Sequence, residues 1–165
     1  MDKNNTIIIK RLTSDDVSYF KDDIIQYIYE SNIGCAFMEN YSLEDALSKW
    51  IELYNYSLQC KAILYGAILD NEKSKKLVGF LWAYEHAYRE DIHRFYVSIL
   101  HVQKEYRSFG IGKELMNKVE NEAISKGYSS VYLHAEVTND KGIRFYNRNG
   151  YETERVQLVK RLGLS

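Results

Sequence analysis

The sequence predicts a single mixed α/β domain in which helices cover a central sheet. Three observations carry that prediction. Apolar residues recur at helical spacing through the front of the chain, short apolar runs of strand type take over from Lys61, and helical spacing returns between Ile111 and Ala123. With 165 residues, 45% apolar and 27% charged, the chain suffices for one complete core and is too short for two ordinary domains.

The elements follow in order. Residues 6–10 form a short β-rich run, and the cluster Thr13-Ser14-Asp15-Asp16 can cap a helix. Val17, Phe20, Ile24, Tyr27 and Ile28 then share one helical face. A second helix is expected from Ser42, with Asp45 completing a capping box and Ala46, Leu47, Trp50 and Tyr54 on one face. Residues 62–69 and 77–85 read as strands joined through the polar stretch 70–76, and 93–102 is a third strand. Ile111, Leu115, Met116, Val119 and Ala123 mark a helix stopped by Lys126-Gly127. A strand over 130–136, a short helix over 140–149 ended by Gly150, and a β-rich segment over 151–162 complete the chain.

Composition excludes several function classes. The 22 Lys plus Arg and 23 Asp plus Glu give a net charge of -1, and no dense basic block is present, which argues against a dedicated nucleic-acid binder. No apolar run approaches the roughly 18–20 residues of a membrane span. The start, Met1-Asp2-Lys3-Asn4-Asn5, lacks the apolar core of a signal peptide, so a cytoplasmic address is expected. Cys35 and Cys60 lack the short paired spacing of a zinc site, no spacing among His86, His93 and His101 suggests a metal, and buried thiols are expected rather than a disulfide framework. Residues 1–60 hold 5 basic and 10 acidic side chains, the rest 17 and 13. That asymmetry suits a cationic acceptor in front and an anionic ligand behind, or simply solvated helix faces.

The most informative stretch is 102–112, where a strand ends and Arg107-Ser108-Phe109-Gly110-Ile111-Gly112 leads into the long helix. Strand, glycine turn and helix N-terminus converge free N–H groups and a helix dipole on negative charge. A P-loop is excluded, because Glu114 follows Lys113 and the upstream glycine is missing; a dinucleotide fingerprint is excluded, because Leu115 stands where its third glycine belongs.

With Val102 ahead of Arg107, Gly110 and Gly112, and with Asn139, Gly142, Tyr146, Gly150 and Tyr151 downstream, the stretch 100–151 resembles the GNAT superfamily of acetyl-CoA-dependent N-acetyltransferases. The resemblance implies a mostly antiparallel sheet splayed between the strands ending near Val102 and Glu136, with coenzyme A held between them and helices on both sides. It implies that the backbone of Arg107, Ser108, Phe109, Gly110, Ile111 and Gly112 holds the pyrophosphate and that Val102 and Asn139 join the cofactor site. It also implies that the Leu100 N–H polarises the acetyl carbonyl. Residues 61–165 would be the cofactor-binding core and 1–60 the acceptor side, in one domain over 1–165. This chain departs from the family at Gln103-Lys104, at Gly142 in place of alanine and at Tyr151 in place of phenylalanine, and only 151–165 remain for the family's last two strands. Glycine at 142 is expected to weaken the short helix by up to about 1 kcal/mol relative to alanine.

Acetyl transfer to an amine needs a proton acceptor, an oxyanion donor and a proton for the leaving thiolate. Tyr146 matches the family tyrosine that approaches the sulfur. Tyr96, with His134 in the next strand, resembles the protein N-terminal acetyltransferase branch, in which a tyrosine and a histidine hold a water that relays the amine proton. Strand alternation is expected to put Tyr96, Ser98 and Leu100 on one face and His134 with Glu136 on one face. Glu136 and Glu85 are fallback bases. His86, His93 and His101 are read as surface or core residues, and Arg144, Arg148 and Lys113 as solubilising cations that could reach the outer phosphate. The acceptor, a peptide α-amine or a small cationic amine, is expected to meet the first two helices and the loop 86–92. A non-catalytic acyl-CoA-binding or sensor module is the rival reading. The C-terminal strand has two candidate partners, this chain's own sheet or that of a second copy in a homodimer.

Overall fold

The computed structural model describes residues 6–33, 38, 40–59, 62–71, 74–89, 92–160 and 162. Cys35 and Cys60 lie outside them. The elements are β1 (Thr6–Arg11), α1 (Ser14–Tyr19), α2 (Lys21–Asn32), α3 (Leu43–Leu58), β2 (Ala62–Asp70), β3 (Lys75–Arg89), β4 (Ile92–Val102), α4 (Ile111–Ser125), β5 (Val131–Leu133) and α5 (Asp140–Arg148). The chain divides into two compact units, Met1–His134 and Ala135–Ser165.

The first unit holds one sheet of order β1-β2-β3-β4-β5. Strands β1 to β4 are antiparallel neighbours, and β5 runs parallel to β4. Caps set the helix starts. Thr13 Oγ1 accepts the Asp16 N–H at 3.2 Å while the Asp16 carboxylate accepts the Thr13 N–H at 2.9 Å. Ser42 and Asp45 repeat the arrangement ahead of α3. The helix expected across Val17 to Ile28 is interrupted at Phe20. Both segments keep their apolar residues on one side, so periodicity could not reveal a one-residue break.

Val17, Ile24, Tyr27, Ile28, Ala46, Trp50 and Leu53 from α1–α3 cover one face of the sheet, against Leu64, Ile68, Leu77, Phe80, Trp82 and Ile99. Helix α4 covers the other. A Cβ on Gly79 of β3 would sit 3.0 Å from Ile111 and 3.3 Å from Leu115 of α4. All five apolar positions expected on α4 are buried. Glu122 ties the helix to the sheet through Arg11 at 2.7 Å and Tyr65 Oη at 3.0 Å.

Three strand expectations are corrected. The segment 86–92 is a hairpin rather than a loop, since β3 runs to Arg89 and β4 starts at Ile92. The strand expected over 130–136 is confined to Val131–Leu133. No strand forms among the described residues of 151–162, although that segment has the composition of one.

In the second unit, α5 is capped by Asn139, whose Oδ1 accepts the Gly142 N–H at 3.0 Å. It closes with Gly150 at φ 86°, the Tyr151 N–H returning to the Tyr146 carbonyl at 3.0 Å.

Candidate active site

One residue organises the site. The β3–β4 register runs Trp82↔Ile99 and then Ala83↔Val97, so Ser98 is an extra residue on β4, a bulge that switches the strand's alternation. Before the bulge the Phe95 N–H donates to the Ser130 carbonyl, facing β5; after it the Gln103 N–H donates to Val78, facing β3. Antiparallel alternation therefore turns the Leu100 and Val102 peptide groups away from β3, toward the β5 edge. The Val102 carbonyl indeed accepts Arg107 Nε at 2.8 Å. On that edge the β4–β5 pairing ends at Val97↔Leu133, while β4 continues to Val102. The two strands thus part where Leu100 and Val102 present their backbone outward.

The bulge also overturns an expectation. Tyr96 pairs with Tyr84, on the face of Phe80 and Trp82, whereas Leu100 pairs with Leu81 and Val102 with Gly79, on the face of α4. Tyr96 and Leu100 do not share a face. Leu100's expected role uses its amide, which the switch leaves at the open edge.

A single 3₁₀ turn, Lys104–Tyr106, follows β4. The Arg107 N–H is committed to the Lys104 carbonyl at 3.3 Å, so the turn's free donors start one residue later than expected. Ser108 at φ 69° and Gly110 at φ 81° take left-handed backbone, and Gly110 is the N-cap of α4. Among the described residues, no backbone acceptor meets the N–H groups of Ser108, Phe109, Gly110, Ile111, Gly112 or Lys113. This row of donors at a helix start is suited to a phosphate.

Tyr96 and His134 come together, Tyr96 Oη lying 3.2 Å from His134 Nδ1 with the rings 5.4 Å apart. His134 lies one residue past the last β4–β5 pair, Val97↔Leu133, and Tyr96 one residue before it. Burial, then neighbouring Tyr132, raises the Tyr96 phenol above its ordinary range. Burial also pushes Tyr84 up to about 12. These hydroxyls stay protonated at neutral pH and act as donors.

The fallback bases separate. Glu85 precedes His86 on β3 and bonds Tyr128, whose phenol is pushed up to about 12 by burial and this carboxylate. Its partner across the sheet is Phe95, which packs on Tyr128 at 5.0 Å, so Glu85 faces away from Tyr96. Glu136 belongs to the second unit. In that unit Tyr146 stacks edge-on against Phe145 and Tyr151, and burial pushes its hydroxyl up to about 12. Asn139 is occupied as the α5 cap. Clefts of about 300 and about 630 Å³ open elsewhere in the first unit; the smaller contains Asp45, Lys49 and Glu52, and neither is lined by Tyr96 or His134.

Sequence reasoning missed two residues beside the pair. The Tyr132 hydroxyl is hydrogen-bonded to His86 Nδ1, and the Tyr132 ring lies 5.0 Å from Tyr96. The signal was a repeated Tyr-x-His: Tyr84-Glu85-His86 on β3 and Tyr132-Leu133-His134 at β5. Period-2 alternation puts both members of each triplet on one face.

Comparison with known proteins bears on this geometry. The sequence model of the acetyltransferase (GNAT) family matches residues 25–151. N-alpha-acetyltransferase 50 of Danio rerio is 35% identical over 60 residues, 36% of each chain. The aligned part thus spans about a third of that relative. N-alpha-acetyltransferase 30 of Schizosaccharomyces pombe is 27% identical over 109 residues, 66% of this chain and 69% of the relative. The crystal structure of an aminoglycoside acetyltransferase from an uncultured soil metagenomic sample, in complex with trehalose, superposes with a TM-score of 0.70 at 25% identity. That match covers 98% of this chain and 99% of the other.

Proposed function

The chain belongs to the acetyltransferase (GNAT) family, and from that premise we propose that it is an acetyl-CoA-dependent N-acetyltransferase whose acceptor is the α-amine of a peptide, acetylated by direct attack in a ternary complex. The observation that carries this reading is the Tyr96–His134 hydrogen bond at the point where β4 and β5 part. An α-amine has a reference pKa of about 7.7–8.0, against about 10.4 for a lysine side chain, so a water held between a phenol and an imidazole suffices to relay its proton.

In this reading the water passes the proton shed as the amine nitrogen bonds to the acetyl carbon on to His134, while the Tyr96 hydroxyl, which keeps its own proton, orients the pair. The Leu100 N–H meets the developing oxyanion, a term that usually dominates acyl transfer. Tyr146, with its high-lying phenol, returns a proton to the thiolate as the carbon–sulfur bond breaks. The donor row from Ser108 to Gly112 holds the pyrophosphate, and the outward backbone of Val102 pairs with the pantetheine amide. No cysteine stands in either motif, which fits direct transfer rather than an acyl-enzyme.

A small cationic amine is the second reading. It is favoured by the excess of acidic side chains over residues 1–60 and by Asp45 and Glu52 in the cleft beside α3. Thiol release from acetyl-CoA, measured with free-N-terminus peptides, blocked lysine peptides, polyamines and aminoglycosides at several pH values, decides between them. Turnover with the first class supports the α-amine reading; turnover confined to the last two overturns it. With the active acceptor, Tyr146→Phe should slow turnover with coenzyme A binding retained, and His134→Ala should move the pH dependence.

A further inference from the structure

Five rings, the Tyr96–His134 pair among them, line one face of the first unit. Tyr84 and His86 come from β3, Tyr96 from β4, and Tyr132 and His134 from β5 and its end. The Tyr132 ring is wedged at 5.0 Å from Tyr96 and 5.9 Å from His134. Arg94 and His86 help to hold the wedge. The Arg94 guanidinium lies 4.5 Å over its face, itself fixed by Nε donating to Ser130 Oγ at 2.9 Å. His86 Nδ1 meets its hydroxyl.

We propose that His86 is a positioning residue for the acceptor step: through the Tyr132 hydroxyl it holds the wedge that sets the spacing of Tyr96 and His134. The inference rests on the assignment of that pair to the amine proton. With a bare Nδ1, His86 accepts the Tyr132 hydroxyl hydrogen. The surface around it is crowded. Arg94 is the cross-strand partner of His86 on β4, and the Tyr96 ring lies 6.3 Å away. Tyr132 and His134 approach from the β5 side, and Tyr84 lies two residues back on β3. Glu52 and Tyr56 of α3 act on Tyr84.

The test uses the full chain, and its first arm gives the same readout whichever amine is the acceptor. In protein carrying ¹⁵N-labelled histidine, the ring-nitrogen signals of His134 should change in His86→Ala and return toward their original positions in His86→Asn, whose amide can replace Nδ1. In the second arm, His86→Ala and Tyr132→Phe should each lower kcat/KM for the acceptor several-fold, leave KM for acetyl-CoA unchanged, and in combination cost no more than either alone. His86→Asn should restore the rate. Unchanged His134 signals in His86→Ala, or losses that multiply in the double variant, overturn the proposal. If Tyr96→Phe and His134→Ala, assayed alongside, leave the rate intact while the His134 signals still respond to His86→Ala, the wedge stands and the assignment of the pair to the amine falls.

Discussion

Gly110 and Gly127 bracket α4 with nearly the same backbone, φ 81° and φ 79°, and a Cβ on either would meet nothing within 4 Å. Steric clash within the protein therefore gives no reason for glycine at either place, and left-handed strain of about 1–2 kcal/mol is common to both. What separates them is the donor row that opens at Gly110. Gly110→Ala and Gly127→Ala should lower the thermal midpoint by similar amounts, whereas only Gly110→Ala should weaken coenzyme A binding in a calorimetric titration. Equal affinities would remove the turn from the cofactor site. Gly142 teaches the opposite lesson. Propensity alone favours alanine there, yet a Cβ would stand 2.5 Å from Asn139 Nδ2, so the side chain that caps α5 occupies the space. The expected helix-weakening glycine is what lets the cap close.

At the scale of elements, α4 is seated on β3 through a glycine. A Cβ on Gly79 would lie 3.0 Å from Ile111, the first residue of α4, and 3.2 Å from Ala67 of β2. Gly79→Val should cost about 1–3 kcal/mol by overpacking. Because the displaced residue adjoins the Ser108–Gly112 turn, KM for acetyl-CoA should rise as well, and chemical denaturation together with initial-rate kinetics would check both. A stability loss without a change in KM would mean that the turn is positioned independently of the helix seat. The elements themselves were largely legible. Both capping boxes announced their helices, since Thr13/Asp16 and Ser42/Asp45 act within one turn, and the apolar stripe of α4 was read residue for residue. The Tyr96–His134 contact was legible too, because period-2 alternation and a family pattern coincide there. The bulge at Ser98 was not, since the extra residue shows only against a partner strand and the burial alternation from Phe95 to His101 runs on unbroken across it. The strand expected over 151–162 is absent from its described residues, since composition records propensity and not pairing.

For the molecule as a whole, the same bulge moves β4 from one sheet face to the other. Phe95 and Val97 lie on the α4 side, while Ile99 enters the core beneath α1–α3. His101 follows it inward. It is 7% exposed and stacks on Tyr27 of α2 at 4.5 Å, and its Nε2 comes within 3.2 Å of a Glu30 carboxylate oxygen without forming a hydrogen bond. Gln103 donates to Tyr27 Oη at 2.7 Å, and Tyr27 in turn donates to the Leu77 carbonyl, so this ring contact joins helix α2 to the strand end that carries Val102. Burial holds His101 below its ordinary value of 6.5; Glu30 opposes the shift and Arg107 adds to it. A histidine depressed in the folded state binds fewer protons there than in the unfolded chain. Its contribution to stability is complete above about 6.5 and is lost as pH falls from there through the lower folded value. Urea midpoints should therefore decline between about pH 8 and about pH 5.5, a range that leaves most carboxylates ionised. His101→Gln should flatten that decline. An unchanged slope in His101→Gln would mean that the Glu30 carboxylate offsets the burial, and that acid enters the fold elsewhere.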